Sequence, residues 1–161
     1  MLAAIEQIED GYIAQFQRPF KHSANHVWAA LTENNQLAIW MSNLQVVDLR
    51  KNGNIKFNMN DGTGKSLNMK ITDFEDNSIV EFEWGNGKVR FEVVATEEGC
   101  ILLMHEFLPI INDHTPKDLA GWHVCLQILS ELLDGKVIDF PKDEWEFWYE
   151  KYIELTKNMN E

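Results

Sequence analysis

Residues 115–136, TPKDLAGWHVCLQILSELLDGK, most limit how this chain can fold. Thr115 suits an N-cap, Pro116 the first helical position, and Asp118 the positive end of a helix. Gly135 stands where a left-handed C-cap residue belongs. Between these ends Leu119, Trp122, His123, Leu126, Leu129, Ser130 and Leu133 recur at helical spacing, and Val124, Ile128 and Leu132 widen the stripe. A helix apolar over so much of its girth needs a broad, curved partner surface.

The upstream chain supplies that surface. From Leu44 the apolar period falls to two and stays there. Ile55, Phe57 and Met59 alternate with Lys56 and Asn58, and Leu67, Met69 and Ile71 alternate with Asn68, Lys70 and Thr72. Val80, Phe82 and Trp84 alternate with Glu81 and Glu83, and Val89, Phe91 and Val93 with Arg90 and Glu92. Turn signals at Asn52-Gly53, Asp61-Gly62-Thr63-Gly64 and Gly85-Asn86-Gly87 separate them. One dry and one wet face, with a hairpin after each strand, is the pattern of an antiparallel meander. The last strand, residues 100–107, is apolar on both faces apart from His105 and Glu106, so a cover on its outer side is expected. Ahead of the meander, residues 12–20 alternate as a first strand, and Ser23 caps a short helix carrying Val27, Trp28 and Leu31. A second short helix or turn ends at Trp40. Residues 1–10 read as a short helical arm, with Leu2, Ile5 and Ile8 on one side and Gly11 ending it. The expected class is α+β, a bent antiparallel sheet wrapped around the long helix.

After that helix, Asp139 and Pro141 open a further one whose stripe is Trp145, Trp148, Tyr149, Tyr152 and Leu155. It either packs back on the domain, beside the apolar strand, or forms a homodimer or partner surface, since aromatics are enriched in contact cores. With 161 residues and no linker, repeat or low-complexity tract, one domain is expected over 1–161, its core at about 12–135 and a helical extension at 136–161.

Net charge is −12, which argues against nucleic acid and anionic membrane as partners, because both draw on basic patches. No apolar run approaches a membrane span and the first residues show no secretory leader, so the cytoplasm is the expected location. Cys100 and Cys125 have no CxxC spacing and read as buried thiols. Residues 61–66, DGTGKS, look like a phosphate loop only superficially: Met59 stands where the first glycine is needed, and a strand follows instead of a helix. His22 and His26 lie four apart but lack a third ligand, so no metal and no cofactor are expected. No Ser-His-Asp or Cys-His order stands out. An enzyme would need two or more titratable groups converging in one pocket, and no such pair is evident in the sequence.

Strand, two short helices, six strands and a long helix is the order of the helix-grip fold. The run SANHVWAALTENNQLAIWM, with Val27-Trp28 and Trp40, resembles the activator of heat-shock-protein-90 ATPase homologue family, within the START-like (SRPBCC) superfamily. DLRKNGNIKF resembles that family's glycine turn into the third strand, and EFEW its strand ending at Trp84. Gly121-Trp122 with Leu126 and Leu129 matches its Gly-Trp-x3-Leu-x2-Leu helix. The likeness runs from about residue 12 to 135. The chain departs from the pattern in keeping only Gly53 at a usually glycine-rich turn and in adding the aromatic tail. The eukaryotic chaperone activators also carry a separate N-terminal domain that 161 residues do not accommodate.

The resemblance implies a cavity between sheet and long helix. Trp40, Phe57, Met59, Met69, Phe82, Trp84, Phe91, Trp122 and Leu126 are the expected apolar lining, and His105 and His123 its polar anchors if both point inward. A dry cavity costs on the order of 24 cal/mol per Å³, so roughly 300 Å³ of emptiness would cost about 7 kcal/mol. That rivals the total stability of a typical domain, about 5–15 kcal/mol. A space of that size is therefore occupied, wet or filled by these bulky side chains. The expected function is non-enzymatic binding of a small hydrophobic or aromatic molecule. The alternatives are a chaperone-associated interaction module and, third, a small-molecule enzyme.

Overall fold

The computed structural model describes residues 1–159. In chain order the elements are β1 (Ala4–Ile8), β2 (Gly11–Phe20), α1 (Ala24–Thr32), α2 (Asn34–Trp40), β3 (Leu44–Asp48) and β4 (Asn54–Asn58). They continue with β5 (Ser66–Glu75), β6 (Ile79–Trp84), β7 (Gly87–Ala95), β8 (Cys100–Leu108), α3 (Thr115–Leu133) and α4 (Lys142–Thr156). The strands form one eight-stranded antiparallel sheet in the order β1-β2-β8-β7-β6-β5-β4-β3. The meander β3 to β8 is thus closed by the N-terminal hairpin, which pairs β2 with β8. Together with the helices this is the expected α+β helix-grip architecture.

Alternation decides which face is dry. On β8, Cys100, Leu102, Met104, Glu106 and Leu108 are buried, while the residues between them are half-exposed. Val89, Phe91 and Val93 of β7, Val80 and Phe82 of β6, and Met69 and Ile71 of β5 share the buried face. Register slips between Ile71 and Asp73 on β5 and between Val46 and Asp48 on β3 add an extra residue to one strand. Such bulges raise the local twist and let a sheet bend around a helix. Against the buried face lies α3, with Leu119, Trp122, Leu126, Leu129 and Leu133 inside the core.

The ends of α3 follow from local chemistry. Its first residue is Thr115, so the helix starts one position earlier than expected, with His114 as the cap. The Thr115 hydroxyl instead accepts from the Asn112 amide at 3.0 Å, which fixes the loop leading into the helix. At the other end Gly135 has φ +83°. The Lys136 amide donates to Glu131 O at 2.8 Å and the Gly135 amide to Leu132 O at 2.9 Å. These are the paired bonds of a Schellman cap, which needs a residue at ease in the left-handed region.

The first ten residues differ from expectation: they hold a strand, not a helical arm. Ala4–Ile8 pairs with β2, Ile5 opposite Ala14 and Ile8 opposite Gly11. Leu2, Ile5 and Ile8 are spaced for a helix, but a short amphipathic helix is marginal alone. The free edge of β2 offers a ladder of backbone bonds, and that tertiary gain outweighs local spacing.

The aromatic tail also takes a definite place. α4 packs on α3, with Tyr152 fully buried and Trp145, Trp148, Tyr149 and Leu155 half-buried against the core. It does not cover the outer side of β8, whose Ile101, Leu103, His105 and Phe107 remain half-exposed. Gln127 of α3 donates to Glu144 of α4 at 2.8 Å. Deeper in the contact the Tyr152 hydroxyl accepts from the Ala3 amide at 3.0 Å and lies 2.7 Å from His123 Nδ1. No helix of the described residues is long and apolar enough to cross a membrane.

Candidate functional site

The strand and helix registers bring most of the expected lining residues together. Trp84 and Trp122 have ring centroids 5.0 Å apart, Phe57 lies 5.5 Å from Trp84, and Phe91 lies 5.9 Å from Trp122. Phe82 lies 6.2 Å from Phe91, and Trp40 reaches Phe91 at 6.4 Å. Edge-on and tilted contacts at these distances are the favoured geometry of aromatic pairs. Met69 and Leu126 are buried in the same core. Trp40 is locked by donating from Nε1 to Ala30 O at 2.7 Å. These rings occupy the space between sheet and α3, which is the filled outcome among those the cavity cost allowed.

Three expected lining residues lie apart. Met59 falls one residue beyond the end of β4 and is 42% exposed. His105 faces outward from β8, in a shallow groove with Arg90, Glu81 and Gln15. Burial there lowers its pKa, opposed by Glu92 and reinforced by Arg90. His123 is buried, but on the flank of α3 that meets α4, stacked on Trp148 at 3.9 Å between ring centroids. The two histidines therefore point to opposite sides of the molecule and do not share one pocket.

The polar groups that do reach the sheet–helix space are Glu106 and Asp118. Glu106 belongs to the inward parity of β8, opposite Val89, and is 1% exposed. Asp118 comes from the first turn of α3 and accepts from Trp84 Nε1 at 3.1 Å through Oδ1. Burial, then a hydrogen bond to Asp118 and its charge, hold the Glu106 carboxyl well above the usual carboxylate range. Apart from the proton that Glu106 shares with Asp118, no group of the described residues donates to Glu106 Oε1 or Asp118 Oδ2, and the buried Trp122 Nε1 has no acceptor. Buried polar atoms are nearly always paired, so a carboxyl pair with no outside donor, beside an indole N–H with no acceptor, marks this end of the core as unusual.

A cleft of about 220 Å³ opens onto this pair, lined by Trp84, Glu106, Asn112, His114, Thr115 and Asp118 among others. Its floor includes the tight β6–β7 turn. There Gly87 lies so close to the Phe107 carbonyl that a Cβ would collide with it, which holds the turn against β8. The aromatic cluster thus ends, through Trp84, in a small half-open site with two carboxyl groups. Glu106 was hard to single out in a sequence of 26 acidic residues. The usable signal was parity: it stands two after Met104 and two before Leu108, both core residues.

Other candidate groups take quieter positions. His22 Nε2 lies 2.8 Å from Asp134 Oδ1, and its ring lies 5.0 Å from that of His26 at the start of α1. Among the described residues no group of three or more His, Cys, Asp or Glu is placed to hold a metal ion. Burial raises the pKa of Cys100, and burial with the Asp118 charge pushes the Cys125 thiol up to about 12. Both sulfurs are thus kept as thiols, poor nucleophiles.

Comparison with known proteins agrees with the architecture. Across 99% of this chain and 92% of its own, a conserved protein of unknown function, EF2215 from Enterococcus faecalis, superposes with a TM-score of 0.86 at 20% identity. CalU16 from Micromonospora echinospora superposes at 0.70 with 16% identity over 95% of this chain and 94% of its own. The solution structure of the protein encoded by BPP1335 from Bordetella parapertussis gives 0.69 at 18% identity over 94% of each chain. Likeness at this level of identity shows the fold alone. No curated protein matches the chain at a significant level. Residues 21–134 match the model for Activator of Hsp90 ATPase homolog 1-like protein, and because that span is well over half of the sequence, the chain belongs to this family.

Proposed function

We propose that the protein binds a small molecule, without chemically changing it, in the cleft between the first turn of α3 and the β6–β7 end of the sheet. The observation that carries this reading is the pairing of that half-open cleft with buried, underpaired carboxyl groups at the edge of an aromatic cluster. Ligand sites are concave, largely apolar and fixed by a few convergent polar groups, and this one has that composition. Trp84, half-buried and tethered to Asp118, supplies the flat apolar wall for an aromatic or aliphatic body. The test is native mass spectrometry of the purified protein, with thermal unfolding across a panel of small aromatic and aliphatic compounds. A co-purifying mass or a raised unfolding temperature is expected, with the Trp84 indole N–H signal shifting in NMR spectra. Neither ligand nor shift with any compound would defeat the proposal.

Two other readings have an observation behind them. The Glu106–Asp118 pair is the convergence of titratable groups that an acid–base enzyme would need. Only His114, exposed at the rim, adds a further titratable group to the cleft lining. Turnover of a bound compound that stops in Glu106→Gln would favour an enzyme. The family description suggests a chaperone partner. Co-purification with a heat-shock-protein-90 chaperone and stimulation of its ATPase would favour that role, and absence of both would remove it.

A further inference from the structure

We propose that the cleft at the start of α3 takes a small organic ammonium ion, its N–H groups donating to Glu106 Oε1 and Asp118 Oδ2 and its apolar body lying on the Trp84 indole. This rests on the ligand-binding reading above and gives it a ligand class. The hydrogen-bond inventory comes first. Trp84 Nε1 is already committed to Asp118 Oδ1, and beyond the proton that Glu106 shares with Asp118 the pair receives no donor from the described residues. A ligand that takes the place of that shared proton must bring donors of its own. A carboxylate or phosphate would bring acceptors only and add repulsion.

Charge points the same way. The cleft lining contains Glu106 and Asp118 and no lysine or arginine, with His114 the one basic side chain and that at the exposed rim. The chain as a whole carries a formal charge of −12, which favours the approach of cations. Trp84 adds an indole face, the aromatic surface that best accepts a cation. Charge-assisted hydrogen bonds from an ammonium are about twice as strong as neutral ones. A hydroxyl or amide ligand of the same shape would forgo that gain.

Binding of this kind is linked to a proton. Glu106 keeps a proton beside Asp118 in the free protein, because burial and the neighbouring carboxylate disfavour a second negative charge. The titratable groups facing it are Asp118 on α3 and, at the rim, His114, while the Cys125 thiol senses Asp118 from the same helix. An ammonium placed between the two oxygens makes the doubly ionised pair favourable, so the Glu106 proton leaves to solvent as the ligand enters. The ligand keeps all of its own protons.

The experiment uses phenethylammonium, with 2-phenylethanol and phenylacetate as neutral and anionic counterparts of nearly the same shape. Titration is followed by the Trp84 indole N–H signal and by calorimetry at about pH 6 in two buffers of different ionisation enthalpy. The expected result is that phenethylammonium binds on the order of tenfold more tightly than 2-phenylethanol, with phenylacetate weakest. Proton release should accompany only the ammonium. Glu106→Gln and Asp118→Asn, each checked for a cooperative unfolding transition, should each lose the tenfold preference, and Glu106→Gln should also lose the proton release. Equal or tighter binding of the alcohol or the carboxylate would overturn the ammonium assignment while leaving the cleft a ligand site. No binding of any of the three would overturn the ammonium assignment, and would overturn the ligand-site reading as well if the wider compound panel also gave neither a bound mass nor a shift.

Discussion

Acidification should unlock α4 from the rest of the molecule, and the amount can be worked from His123. This imidazole is 5% exposed, stacked on Trp148, with Nδ1 2.7 Å from the Tyr152 hydroxyl. Burial first, then the Arg18 charge and the N-terminal ammonium, push its pKa from 6.5 down to about 3. The ring is therefore neutral in the folded protein, and Nδ1 accepts from Tyr152 while the Tyr152 oxygen accepts from the Ala3 amide. A base whose folded pKa lies below its unfolded value contributes stability that is complete above the unfolded pKa and is lost as pH falls toward the folded one. Between about pH 6.5 and pH 5 the unfolded chain gains a proton that the folded chain refuses, a loss of about 2 kcal/mol at 1.36 kcal/mol per pH unit. Glu106 works against this. Its folded pKa is raised, so it alone adds stability as pH falls toward the ordinary carboxylate value. The clean measurement is a difference: urea unfolding of wild type and of His123→Gln, at about pH 7 and about pH 5. The glutamine keeps an acceptor for Tyr152 and does not titrate, and the Glu106 contribution cancels between the two proteins. Wild type should lose about 2 kcal/mol more than the variant over this interval. A difference under about 0.5 kcal/mol would show that His123 titrates normally, and the picture of a neutral imidazole clamped under α4 would fail.

Tyr152→Phe removes one hydroxyl that serves both the Ala3 amide and His123, and should cost about 1–3 kcal/mol by urea unfolding, with faster hydrogen exchange at Ala3. Glu106→Leu exchanges a buried, underpaired carboxyl for an apolar side chain and should raise stability at neutral pH by about 1–3 kcal/mol while abolishing ligand binding. An unchanged or lower melting temperature would mean that the carboxyl is better satisfied than its surroundings indicate. Gly87→Ala drives a methyl into the Phe107 carbonyl and should destabilise by more than the about 1 kcal/mol typical of a glycine replacement in ordinary backbone, checked by thermal unfolding.

The sequence made the middle of the fold readable because each strand from β3 to β7 keeps one wet face. Lys56, Asn68, Glu83 and Lys88 are exposed where alternation puts them outside, so the parity of their neighbours follows. α3 was readable from both spacing and its glycine cap. β1 was not, since its pairing with β2 is a long-range gain that Leu2, Ile5 and Ile8 do not encode locally. β8 hid its parity for a different reason: with Ile101, Leu103 and Phe107 on one side and Leu102, Met104 and Leu108 on the other, either face could be the dry one. Its partner settles the matter, since Phe91 lies opposite Met104 and Val89 opposite Glu106. That one assignment turns His105 outward and Glu106 inward. The aromatic part of the candidate site was therefore legible and its polar part was not.

The position of the cleft follows from the same accounting of space. Left dry and closed, about 220 Å³ would cost about 5 kcal/mol, a large share of what a domain of this size has to spare. Trp40, Phe82, Phe91 and Trp122 avoid that cost by filling the middle of the sheet–helix interface. At the start of α3 the helix gives way to the Asn112–Thr115 turn, and water can enter. There an unfilled volume is hydrated at little cost, while the unpaired oxygens of Glu106 and Asp118 lie just behind it, screened from that water. A ligand entering this space must replace that hydration, so an apolar body alone gains only what it hides against Trp84. Affinity at such a site is decided by how well the incoming molecule serves the two carboxyl groups.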